Sequence, residues 1–115
     1  MLKHTTLALG LLISTGVFAS NDMNSIINYA SRTAKDYCNP RNTECINEFS
    51  SQVIIAFKDG EQDSSSRYSG EVLSKRYEKR LVAQVCVPSD TKHKDACLSM
   101  VDRLVDSYNR GLNSK

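Results

Sequence analysis

Apolar residues recur at three- and four-residue spacing in four separate stretches of this chain, the pattern of amphipathic helices. The first runs from about Met23 to Cys38, with Met23, Ile26, Ile27, Ala30, Ala34, Tyr37 and Cys38 on one face. Asp22 is placed to cap it by accepting an orphan N–H bond, and Asn39-Pro40 ends it because proline disfavours helical backbone in the residue before it. The second runs from about Glu44 to Lys58 and aligns Ile46, Phe49, Val53, Ala56 and Phe57. Asn42 or Thr43 is its cap and Asp59-Gly60 its expected stop. Taken alone, Val53 to Phe57 would pass for a buried strand, but the upstream spacing and the total length favour helix. Ile55 lies about opposite Ile46, so it is either buried in a central helix, which is the expectation, or exposed as an interface anchor.

Lys58 to Ser66 is polar and aperiodic, the longest loop signal in the chain. A third helix is expected from about Arg67 to Val85. Leu73, Tyr77, Leu81 and Val85 step along one side, while Tyr68, Val82 and Cys86 lie nearly opposite. Apolar character on two sides marks a central helix, and Gly70 weakens its start by about 1 kcal/mol against Ala. After Pro88, a fourth helix from about Lys92 to Arg110 aligns Cys97, Val101, Leu104 and Tyr108, flanked by Met100 and Val105. Asp90 or Thr91 can cap it, and Gly111 fits a left-handed stop. Short turns within each pair make antiparallel neighbours. The expected fold is all-α: a small disulfide-stapled bundle of about four helices, built as two helical hairpins.

The residues before these helices read differently. Lys3 supplies a positive start, Leu7 to Val17 an apolar run, and Val17-Phe18-Ala19 a small-residue cleavage site, the three parts of a secretory signal. The run is shorter than the roughly 20 apolar residues a membrane span needs. The expectation is a signal peptide over 1–19, cut after Ala19, and one helical domain over 20–115. Export would place that domain in the periplasm, without a membrane span after processing; secretion further out is an open alternative.

Lys and Arg total 15 against 13 Asp and Glu, a formal net charge of +2. A balance this even gives no field to steer the chain toward nucleic acid or acidic membranes. Cys38, Cys45, Cys86 and Cys97 in an exported chain imply two disulfides. Each sequential pair brackets one hairpin turn, so Cys38–Cys45 and Cys86–Cys97 is the economical pairing. Crossed pairs stay open, because four cysteines allow three connectivities. No C-x-x-C redox motif is present, and the intervals are wide for a zinc site.

No catalytic set, metal site or cofactor site emerges, and the chain is not expected to be an enzyme. His93, between Lys92 and Lys94, lacks a nucleophile signature and reads as a solvated turn residue. Asp59, Glu61 and Asp63 alternate like the start of a calcium loop, but the glycine and distal Glu of that motif are out of place. Long loops in compact domains are often functional. The candidate partner-binding residues are therefore Asp59, Glu61 and Asp63, with Arg67 beside them. Lys75, Arg76, Lys79 and Arg80 form a basic stretch on the third helix that would suit an acidic protein partner or, more plainly, a solvated face.

The order of signal, helix, Cys38, then Cys45-Ile46-Asn47-Glu48-Phe49 opening a helix, then Cys86-Val87-Pro88 before the last helix, resembles the small periplasmic immunity proteins that block type VI secretion peptidoglycan amidases. The resemblance spans roughly Tyr37 to Leu112. It implies an exported binding domain whose periplasmic protein partner is a cell-wall-degrading toxin. An accessory part of an envelope secretion or conjugation machine and a periplasmic stress chaperone are the alternatives.

Overall fold

The computed structural model describes residues 23–114, and the expected signal peptide and the Asp22 cap lie outside them. Four α-helices make up the fold among the described residues: α1 over residues 23–37, α2 Thr43–Asp63, α3 Gly70–Leu81 and α4 Lys94–Leu112. A π-helical turn, Val82–Cys86, continues α3, and a single 3-10 turn, Thr91–His93, leads into α4. There is no strand among the described residues.

Paired contacts fix the directions. Ser107 meets Val53 and Gly111 meets Gly60, so α2 and α4 run parallel. Tyr29 reaches Asp106 while Tyr37 reaches the Ala96 carbonyl, so α1 runs antiparallel to α4. α3 also runs antiparallel to α4, with Gly70 beside Leu112 at one end and Cys86 bonded to Cys97 at the other. The Cys38–Cys45 and Cys86–Cys97 bridges thus share one end of the bundle, and the α2–α3 connection lies at the opposite end.

The core joins Ala30 and Ala34 of α1, Phe49, Val53 and Ala56 of α2, Tyr77 of α3, and Leu104 and Tyr108 of α4. Alanines at two successive α1 turns let that helix approach closely. A second apolar patch, Cys86, Cys97 and Val101, sits under the π turn. Ser107 is fully buried, and its hydroxyl donates to the Val53 carbonyl oxygen at 2.7 Å, so the polar atom costs the core nothing.

Three expectations need correction. First, α2 does not stop at Asp59-Gly60 but continues to Asp63. Gly60 is a contact residue: a Cβ there would stand 2.0 Å from the Tyr108 carbonyl oxygen. Gly111 is its counterpart, within α4, where a Cβ would stand 2.0 Å from the Phe57 oxygen. Neither glycine has positive φ, so neither is a left-handed stop. Serines close α2 instead, with Ser64 and Ser65 hydroxyls donating to the carbonyls of Glu61 and Gln62. Second, α3 is peripheral. Only Tyr77 on it is buried; Tyr68 precedes it, and Val85 in the π turn is exposed. α4 is the central helix. Third, Ile55 is 57% exposed on the outer side of α2.

Candidate partner-binding surface

The acidic triplet expected on a loop sits on the last turns of α2, and the helical register separates its members. Asp59 accepts a hydrogen bond from the Tyr77 hydroxyl at 3.1 Å, and Asp63 accepts one from the Tyr108 hydroxyl at 2.6 Å. The two tyrosine rings stack, with centroids 4.0 Å apart and planes 10° from parallel. Burial, reinforced by the neighbouring carboxylates, raises both phenol pKa values well above 10. Asp59 and Asp63 therefore hold α3 and α4 to the end of α2. Glu61 points elsewhere, into a cleft of about 580 Å³ shared by Tyr29, Phe57, Asp106 and Arg110. In that cleft Arg110 lies over the Tyr29 ring at 4.1 Å and pairs with Asp106. Tyr29 donates to Asp106 at 2.6 Å, and burial raises its pKa, with Asp106 adding to the shift.

The basic candidates gather on the outer side of α3. Ser69 caps this helix by accepting from the Val72 N–H at 3.3 Å, which directs the helix along the bundle surface with Tyr77 inward. Lys75 pairs with Glu71 one turn earlier, both well exposed. Arg80 lies over the Tyr77 ring at 5.3 Å. Arg76 lies over the Tyr68 ring at 4.6 Å, and Arg67 approaches the same ring at 5.8 Å. Lys79 is exposed at the rim of an apolar groove formed by Val82, Ala83, Val87, Leu98 and Val101. Five of the eight candidates, Arg67, Lys75, Arg76, Lys79 and Arg80, thus share one surface; Asp59, Glu61 and Asp63 do not join it.

Reading charge alone missed two members of that surface. Tyr68 and Val72 are 46% and 40% exposed; Val72 lies one helical turn before Arg76, and Tyr68, in the bend before α3, is brought beside Arg76 by the contact of its ring with that guanidinium. Their spacing of four was visible, but Tyr68 looked like a core position while α3 was taken as central. Among the described residues, no group of three or more His, Cys, Asp or Glu could hold a metal ion. No described helix is long and apolar enough to cross a membrane.

Comparison with known proteins overturns the immunity reading. The family model described as "Valyl--tRNA ligase modifier family" matches residues 2–114. A relative from Enterobacteria phage T4, named "Valyl--tRNA ligase modifier", is 47% identical over 116 residues, covering all of both chains. No solved structure matches. The amidase partner, the periplasmic and secreted immunity role, and the envelope-machine and chaperone alternatives give way to this match. The residues that suggested them have a simpler cause: Cys38, Cys45 and Cys86-Val87-Pro88 mark where helices end and hairpins are stapled, which any partner class can share. The chain belongs to the valyl-tRNA ligase modifier family.

Proposed function

We propose that this chain binds valyl-tRNA ligase and modifies its behaviour by contact rather than by catalysis. The observation that carries the reading is the full-length match to a phage protein named for modifying that ligase. The geometry supports a binding role: Asp59 and Asp63 are engaged by tyrosine hydroxyls and serve helix packing, while exposed charged and aromatic groups gather on and beside α3. The test is to mix the purified full chain with valyl-tRNA ligase, follow complex formation by size-exclusion chromatography, and measure valine charging with and without the chain. Co-elution with altered charging supports the proposal. Independent elution with unchanged charging sinks it.

The compartment follows from the partner. A tRNA ligase works in the cytoplasm, whereas the Lys3–Ala19 pattern calls for export. On the ligase reading the working chain keeps its first nineteen residues. Intact mass of the chain recovered with the ligase checks this, and a mass beginning at Ser20 in an exported fraction would count against it.

A further inference from the structure

We infer that the outer face of α3 together with Tyr68 in the bend before it, centred on Tyr68, Val72 and Arg76, docks onto an acidic patch of protein on the ligase. The inference rests on the ligase reading and names the surface that carries it out. Arg67, Lys75, Arg76, Lys79 and Arg80 face two carboxylates, Glu71 and Glu78, on this side, so one helix face holds a surplus of cations larger than the +2 of the whole chain. Among the described residues, Arg76 and Lys79 form no ion pair, while Lys75 has Glu71. Their charge is available to an opposite surface.

The apolar part of the face lies within this basic field. Tyr68 and Val72 are two of the exposed large apolar side chains among the described residues; Val72 is one turn before Arg76 on α3, and the Tyr68 ring lies under the Arg76 guanidinium. Arg76 rests on the Tyr68 ring, which restrains both side chains before any partner arrives. Exposed Tyr and Arg held in place are the residue types that carry most binding energy at protein interfaces. The core contacts of α3 come from Tyr77, with Leu73 and Leu81 partly buried beside it, so the helix can present its outer face without giving them up.

The same cations could suit RNA phosphates, but the observations favour protein. Glu71 and Glu78 break the run of cations, which a continuous phosphate backbone tolerates less well than a protein patch that can place its own charges between them. The Tyr68 ring already carries Arg76 on it, which competes with stacking by a base. The formal net charge of +2 leaves little long-range pull toward nucleic acid.

The test uses the full chain and nuclease-treated valyl-tRNA ligase, with affinity and association rate measured at low and moderate salt. Tyr68→Ala and Arg76→Glu should each weaken binding about tenfold or more. Arg76→Lys should retain part of the affinity, because it keeps the charge but not the planar guanidinium. Lys35→Glu, on exposed α1 surface away from this face, should leave binding within about twofold, the behaviour of a charge outside the contact. Helical content and Tm should match the parent throughout, since all these side chains are exposed. If the parent binds and the folded Tyr68 and Arg76 variants bind equally well, the surface is wrong while the ligase reading stands. If the variants lose binding only to free tRNA, the face reads RNA and the inference fails. If the parent does not bind the ligase, the reading beneath it fails.

Discussion

Gly60 of α2 and Gly111 of α4 meet backbone to backbone, and this contact sets how closely the two parallel helices run. A Cβ on Gly60 would lie 2.0 Å from the Tyr108 oxygen and 2.9 Å from the Leu112 nitrogen; a Cβ on Gly111 would lie 2.0 Å from the Phe57 oxygen. The opposing atoms are main chain, so no rotamer change relieves the clash. Alanine gains about 1 kcal/mol of helix propensity over glycine, but overpacking costs about 1–3 kcal/mol and occasionally more, and a 2.0 Å approach to main chain belongs at the upper end. The clash wins. Gly60→Ala and Gly111→Ala should each lower stability by about 2 kcal/mol or more, read as a lower urea midpoint.

Gly70 is the control. A Cβ there meets only the Leu112 Cδ1, at 3.9 Å, an ordinary contact. Gly70 opens α3 with ordinary negative φ. Gly70→Ala should therefore raise stability by about 0.4–1 kcal/mol through the unfolded chain, seen as a higher urea midpoint with unchanged slope. A fall would mean that the start of α3 is tighter than its surroundings show.

These glycines also mark what the sequence could and could not disclose. Helix number and type were legible because Ile26, Ala30 and Ala34, then Phe49, Val53 and Ala56, then Val101, Leu104 and Tyr108 keep helical spacing and are all buried. Helix ends were less legible. A glycine after a polar residue looks the same whether it stops a helix or admits another backbone, and the partner that decides, here Gly111 for Gly60, lies far along the chain. For the same reason Asp59 and Asp63 read as loop acids: their tyrosine partners come from α3 and α4. The basic face was legible as charge and as a candidate contact for an acidic partner, but Tyr68 was left out of it because it counted with the apolar side of a central helix. The family was not legible at all, since the cysteines and Pro88 report hairpin geometry.

Ser107 should be sensitive despite its small side chain. Its hydroxyl is fully buried and donates to the Val53 carbonyl oxygen at 2.7 Å. That carbonyl already serves its own helix, so Ser107→Ala removes one hydrogen bond and leaves no buried donor unpaired. The expected loss is about 1 kcal/mol. Ser107→Val would also push a larger side chain into the α2–α4 contact and should cost about 1–3 kcal/mol. Thermal melts of both variants measure the difference.

The stacked pair Tyr77 and Tyr108 should make the fold sensitive to alkali. Each hydroxyl donates to a carboxylate, Asp59 or Asp63, and each ring is buried, so ionising either phenol would place two negative charges together away from water. Both pKa values are raised above the ordinary 10 of an unfolded tyrosine. The unfolded chain therefore loses these protons first as pH rises. Between the unfolded and folded pKa values the folded chain holds more protons, and stability falls with increasing pH. The contribution is complete below about pH 10 and is lost progressively above it. Urea midpoints should hold steady on this account from pH 8 to about 10 and then drop. Tyr108→Phe should shrink the alkaline drop, because one of the two shifted phenols is gone, at a cost of about 1 kcal/mol at neutral pH for the lost hydrogen bond. Tyr68→Phe, at an exposed ring, should leave the pH profile as it is. A parent profile that stays flat above pH 10 would show that the two phenols are not held protonated by the fold.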